Sequence, residues 1–309
     1  MAGRPSYHLR QATLALLLAL VPESIPIQSP EPIAPLQQPP IERFKASAIR
    51  KEPDTTEQFP SRLATERISS PAKISIPLPE KVTDAIAKVA IIIDDMGYNR
   101  EVGLQLLNLE LPLNFSFLPQ APHTEELAWL AHERGRTVLV HLPMEPQDHS
   151  WKNEPLTLRV GETEDQLQEK TWRMLAAVPT ATGANNHMGS RFTQHHKEIR
   201  QVLSTLREQG LFFIDSYTIA GSVAEATARK LGIPTARRRI FLDNDQQESA
   251  ICRQMVLLAD LAIQKGEAIA IGHPNQGMVA AFAHCAPTRL AKVQLVSVEQ
   301  VVNPSPPRP

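Results

Sequence analysis

Val89-Ala90-Ile91-Ile92-Ile93-Asp94-Asp95-Met96-Gly97 is an apolar, largely β-branched run that passes straight into two carboxylates and a glycine. A continuous run of this length reads as a strand buried on both faces, as in a parallel sheet. The carboxylates stand where that strand ends, at the edge from which α/β folds present their chemistry. Successive residues of a regular strand point to opposite faces. Asp94 and Asp95 therefore share one site only if the backbone turns there, which Gly97 makes easier. The plainer reading of the same residues is a strand followed by an Asx-type turn.

Downstream of Lys88 the pattern repeats. Strands are expected at 89–93, 113–118, 137–142, 183–186, 211–215, 235–241, 267–272 and 293–298. Helices are expected at 99–110, 124–134, 164–178, 195–209, 222–231, 246–265 and 276–290. Gly135, Gly210, Gly232 and Gly266 each close a helical segment just before a strand, the position where positive φ is wanted. Thr163 with Gln166 spells a capping box at one helix start. Strand and helix alternate throughout, so the class is α/β with parallel pairing, a barrel ahead of an open doubly wound sheet.

Upstream the character differs. Arg4 and Arg10 precede a leucine-rich stretch at 12–21, a charged n-region and apolar h-region of signal-peptide length. Residues 1–21 are read as a signal peptide or uncleaved N-terminal anchor, since Val21-Pro22-Glu23-Ser24 is a poor cleavage site. Residues 22–87 hold a dozen of the 27 prolines and no sustained period, the composition of a disordered linker. The folded domain is expected at 88–302, with a disordered tail at 303–309. Export to the periplasm or cell envelope follows, with a membrane tether through the N-terminus if it is not cleaved. A net charge of -1 over 309 residues and no basic cluster argue against nucleic acid as a partner. The two cysteines, Cys252 and Cys285, have no C-x-x-C spacing, and each reads as a small buried apolar residue rather than half of a disulfide.

Histidine or aspartate stands at the C-terminal end of nearly every expected strand. After Asp94-Asp95 come His141-Leu142-Pro143-Met144-Glu145-Pro146, then Asn185-Asn186-His187-Met188-Gly189-Ser190-Arg191, then Ile214-Asp215-Ser216, Leu242-Asp243 and Gly272-His273-Pro274. The opposite strand ends carry no such set. Converging on one mouth, a carboxylate and two imidazoles are a common three-ligand arrangement for a divalent metal. A second carboxylate can take a proton from water, and an imidazole across the site can give one to a leaving group. No G-x-S-x-G elbow, Walker loop or G-x-G-x-x-G occurs, which sets aside serine hydrolase, P-loop and dinucleotide chemistry.

In this order the motifs resemble the divergent polysaccharide deacetylases, relatives of the NodB-type chitooligosaccharide deacetylases. The resemblance covers about 88–302 and implies a distorted seven-stranded β/α barrel, a polysaccharide or oligosaccharide substrate and a divalent metal, zinc by expectation. It assigns Asp94 as base, Asp95 as metal ligand and His273 as general acid. The chain departs from the typical His-x-x-x-His: here the spacing gives His141 and Glu145. His187, from the neighbouring strand end, is therefore taken as the second imidazole, and Asp95, His141 and His187 form the expected metal set. The family's arginine-proline motif is not evident, and Arg191 is the candidate stand-in.

Glu145, Asn186, Arg191, Asp215 and Asp243 are candidates for contacting substrate or orienting the ligands, Asp215 by holding a ligand histidine. His195 and His196 read as solvated helix-start residues. The run Arg237 to Arg239 faces either a hydroxyl-rich or anionic ligand or surface carboxylates, and Asp245 reads as part of a turn or a further orienting carboxylate. Two functions stand side by side. One is an exported, metal-dependent carbohydrate deacetylase. The other is an inactive envelope module that binds glycan or protein on the same barrel.

Overall fold

The computed structural model describes residues 86–148, 150–151 and 156–302. The expected signal peptide or anchor, the expected linker up to residue 85 and the expected tail lie outside the described residues. Along the chain run β1 (Lys88–Met96), α1 (Arg100–Leu107), β2 (Asn114–Phe117), α2 (Thr124–Glu133), β3 (Val138–Met144) and α3 (Glu164–Ala176). Then follow β4 (Gly183–Met188), α4 (His196–Glu208), β5 (Phe212–Asp215), α5 (Ala224–Lys230), β6 (Thr235–Arg237), β7 (Ile240–Phe241) and α6 (Glu248–Lys265). The chain closes with β8 (Glu267–Gly272), α7 (Gln276–His284), α8 (Ala286–Arg289), β9 (Gln294–Leu295) and α9 (Glu299–Val302). The Thr163–Gln166 capping box forms in full at the start of α3.

Every strand pairing is parallel, and the order is β6-β5-β4-β3-β2-β1-β8-β7, with β9 beside the lower part of β1. The sheet curls into the barrel-like α/β fold expected. Two apolar clusters line its two faces. The larger lies between sheet and helices and takes in Ile91, Ile93, Phe115, Val140 and Phe213. The smaller lies inside the curl and is built from Ala90, Ile92, Leu139, Ile214, Ile269 and Ile271. Val296, Val298 and Val301 join this inner cluster from the C-terminal segment, at the end opposite the strand C-termini. Asn114 ties that plug in place, donating to Ile91 O at 2.8 Å and accepting from Val298 N at 2.8 Å. β1 is buried on both faces because it belongs to both clusters.

Three expectations change. The single strand at 235–241 is two, because Arg238 N donates to Asp215 O and Arg239 N to Ile269 O, carrying the chain from one sheet edge to the other. The helix at 276–290 breaks at Cys285, with Pro287 in the first turn of α8. Cys252 and Cys285 are not two separate apolar residues: they form a disulfide, with Cα atoms 5.9 Å apart, that ties α6 to the α7–α8 junction. Their separation of 33 residues hides the pairing from any local spacing rule.

Candidate active site

Alternation along the strands decides which side chains enter the mouth. Ile92, Leu139, Ile214 and Ile271 all belong to the inner cluster. Two residues further on, and so on the same face, stand Asp94, His141, Ser216 and His273. The inside of the curl thus changes from aliphatic to ionisable within one step along each strand. Asn185 and His187 hold the matching places on β4, where Asn185 is the direct ladder partner of His141.

Asp95 is out of phase and reaches the same side by a bulge. The register slips between Ile93 and Met96, so Asp94 and Asp95 together oppose one residue of β2. Asp95 itself takes φ 54°, with Gly97 at φ 115° completing the turn. A β-carbon on Gly97 would lie 2.3 Å from Thr124 Oγ1, so the chain also passes too close to α2 for another residue. Met188 (φ 55°) and Tyr217 (φ 49°) are also left-handed, and both lie at the mouth, just past His187 and Ser216. Left-handed backbone at bulky residues is sparsely populated and persists where surrounding structure enforces it.

The bulge brings three donor atoms together. Asp95 Oδ1 lies 2.8 Å from His187 Nδ1 and 3.2 Å from His141 Nε2. The three groups offer ligand atoms within 4.8 Å of one another. Asp95 Oδ1 is buried yet satisfies the geometry of no hydrogen bond, because neither imidazole edge is aligned on it. Burial opposes its charge, but the two imidazoles outweigh that and hold the carboxyl well below the usual carboxylate range. His141 is 2% exposed; burial works against its charged form, and Asp94 and Asp95 more than reverse this, raising its pKa. Two carboxylates facing two imidazoles make a pocket that favours a cation.

Asp94 is 2% exposed, with Oδ2 at 3.5 Å from His141 Nε2. Asn185 Nδ2 donates to its Oδ1 at 2.8 Å. Burial raises its pKa despite His141, His273 and that hydrogen bond. Across the mouth, His273 Nε2 lies 4.0 Å from Asp95 Oδ2. Its Nδ1 is 3.1 Å from Asp243 Oδ1, and Asp243 Oδ2 also accepts from His273 N and Asn275 Nδ2, each at 2.9 Å. Burial lowers the His273 pKa, but the Asp243 contact and the Asp95 and Asp94 charges push it up to about 9.

Other candidates go elsewhere. Glu145 is not part of the Asp95, His141 and His187 cluster: its Oε2 accepts from Val160 N at 2.8 Å and its Oε1 is 3.6 Å from Arg191 Nε, so it braces the loop after β3. Arg191 thereby pairs with Glu145. Asn186 joins β4 to β5, donating to Met188 O and accepting from Ser216 N. Asp215 orients no histidine; it accepts from Tyr217 N, Ser222 Oγ and Glu225 N, fixing the turn into α5. Asp245 caps a turn through Gln247 N. His195 is half-buried, with Nδ1 at 3.0 Å from Arg191 O, whereas His196 is exposed as expected.

Asn185 and Ser216 escape as candidates in the sequence reading, and Arg238 enters it only within the run Arg237 to Arg239. Asn185 links Asp94, His141 and Ser116. Arg238 donates to Ser216 O and Tyr217 O at 2.7 Å and stacks 3.6 Å from the Phe241 ring, within electrostatic reach of Asp94. Ser216 Oγ is buried without a partner. The i, i+2 rule applied from His187 finds Asn185, and from Ile214 finds Ser216. Arg237, by contrast, pairs with Glu225.

A groove of about 230 Å³ opens beside Asp95 and His187, lined also by Tyr98, Leu118, Trp151 and Met188. A larger groove, about 1000 Å³, lies along α6 and α8 and includes none of the mouth residues.

The curled parallel sheet gathers its ionisable groups at the C-terminal mouth, where α/β folds place their active sites. The chain belongs to the divergent polysaccharide deacetylase family, whose model matches residues 91–302. It is 35% identical over 219 residues to YibQ, an uncharacterized protein of Escherichia coli (strain K12), covering 70% of this chain and 67% of that one. An uncharacterized protein of Haemophilus influenzae is 32% identical over 228 residues, covering 72% of this chain and 81% of that one. The fold matches the crystal structure of an uncharacterized protein from Agrobacterium tumefaciens C58, with TM-score 0.66, 22% identity, and 72% and 92% of the two chains covered.

Proposed function

We propose that this protein is an exported, metal-dependent hydrolase that removes acetyl groups from a polysaccharide of the cell envelope. The observation that carries the proposal is the buried, unbonded Asp95 Oδ1 facing His187 Nδ1 and His141 Nε2 beside a second carboxylate. That donor set suits a divalent ion such as zinc held by Asp95, His141 and His187. When bound, such an ion would polarise a carbonyl oxygen and lower the pKa of a coordinated water to about 7.

The chain's own residues supply the proton transfers. Asp94, with its pKa raised by burial, takes a proton from the water that attacks the acetyl carbonyl carbon. His273, held protonated by Asp243, gives a proton to the leaving amine or alkoxide as the C–N or C–O bond breaks. The products are acetate and the free amino or hydroxyl group of the sugar. Exposed Tyr98 and Trp151 beside Asp95 suit the apolar face of a pyranose ring.

Export is supported by the Arg-flanked apolar segment at 12–21 and by the Cys252–Cys285 disulfide, a bond that persists in oxidising compartments. Among the described residues no helix is long and apolar enough to cross a membrane. A fusion of residues 1–30 to a reporter active only outside the cytoplasm is expected to give signal; activity confined to the cytoplasm would refute export. Catalysis is tested by incubating the metal-loaded full chain with peptidoglycan and with chitooligosaccharides and measuring acetate. Glycan binding without acetate release would favour the inactive binding module.

A further inference from the structure

Resting on the metal-dependent reading above, we infer that Asn185 is a positioning residue that sets which nitrogen of His141 is free for the metal and holds Asp94 beside it. Asn185 is fully buried on β4, and the sheet places it opposite His141 in the β3–β4 ladder. Its position is therefore fixed by backbone pairing and not by a mobile loop.

The orientation of its amide follows from its neighbours. One end of the amide lies 2.8 Å from Asp94 Oδ1. Were that end the carbonyl, two buried acceptor oxygens would face each other with no proton between them, a costly arrangement. The Nδ2 end therefore faces Asp94, and Oδ1 faces Ser116 Oγ at 2.6 Å and His141 Nδ1 at 2.7 Å. An amide oxygen only accepts, so Ser116 donates its hydroxyl proton and His141 donates from Nδ1. A neutral imidazole has one donor and one acceptor nitrogen, so its lone pair falls on Nε2. Nε2 is the atom that lies 3.2 Å from Asp95 Oδ1. Asn185 thus does for His141 what Asp243 does for His273: it accepts a hydrogen bond from Nδ1 and turns Nε2 toward the mouth.

A purely structural amide would fill the same space with no consequence for the tautomer, and this distinguishes the two. The test uses the full chain as wild type, Asn185→Leu and Asn185→Asp, with zinc as probe. Zinc affinity is measured by competition with a chromophoric chelator, folding by circular dichroism, and the His141 proton by nitrogen-15 NMR of the zinc-loaded protein. Asn185→Leu removes the acceptor and is expected to weaken zinc by about 10–100-fold. Asn185→Asp keeps an acceptor for Ser116 and His141 and, sharing one proton with Asp94 where the amide donated, is expected to hold zinc close to wild-type affinity. Zinc-loaded wild type is expected to carry the His141 proton on Nδ1. Should the leucine variant fail to fold, the aspartate variant and the wild-type tautomer still decide. A folded Asn185→Leu that binds zinc like wild type overturns the inference, as does an Asn185→Asp that fails to hold it, or a wild-type proton on Nε2. A wild type that takes up no zinc overturns the metal-dependent reading itself, and this inference with it.

Discussion

Asp94 and Asp95 are neighbours in sequence with opposite electrostatic fates. Burial raises one pKa, while two imidazoles hold the other low, a split that suits the proposed roles of proton acceptor and ligand. Asp94→Asn keeps the shape and the Asn185 contact but cannot take a proton. Acetate release should fall by about 10²–10⁴ while zinc content stays unchanged; a loss of metal together with activity would show that Asp94 is a ligand. His273 leads to a pH prediction. Its folded pKa is raised to about 9, and the protonated form is the acid, so activity should fall as pH rises through that range. Asp243→Asn removes the neighbouring charge, so the alkaline limb of the pH–rate profile should move to lower pH. An unmoved limb would detach Asp243 from the chemistry. At this scale the aspartates and histidines are legible in the sequence because strand ends mark them. Asn185 is not, since it stands beside Asn186 and only the choice of face tells the two apart. Arg238 is legible only as one of the run Arg237 to Arg239, because it sits in a crossing between sheet edges that no periodicity announces.

At the scale of elements, alternation of apolar runs with capped helices carries most of the fold, because each strand and helix declares its own burial. What stays hidden is non-local. The 235–241 run reads as one strand, yet its middle residues bond to β5 on one side and β8 on the other. The bulge at Asp95 is foreshadowed by the need for two adjacent carboxylates to share a site, but the left-handed turn falls on Asp95 itself as well as on Gly97. The disulfide is the clearest miss. Closing a separation of 33 residues, it is expected to stabilise the fold by about 3–4 kcal/mol, chiefly by constraining the unfolded chain. The double variant Cys252→Ser, Cys285→Ser should melt several degrees lower, by roughly 2–4 °C per kcal/mol. Equal melting temperatures under non-reducing conditions would mean that the bond contributes nothing to stability.

Across the whole molecule, the aliphatic interior, plugged at one end by Val296, Val298 and Val301, leaves the strand C-termini to carry the ionisable groups. Burying Asp94, His141 and Asn185 without charge or hydrogen-bond partners would be costly, and the network supplies both. Asp95 Oδ1, which it leaves out, lies where a cation would satisfy it. The central claim is that His187, rather than the Glu145 of the expected spacing, completes a metal site with Asp95 and His141. Metal content of the purified full chain after zinc loading tests it most directly, with His141→Ala, His187→Ala and Glu145→Ala compared with wild type. The account predicts about one ion per wild-type chain, its loss in both histidine variants and its retention in Glu145→Ala. A His187→Ala protein that keeps its zinc while Glu145→Ala loses it would contradict the account.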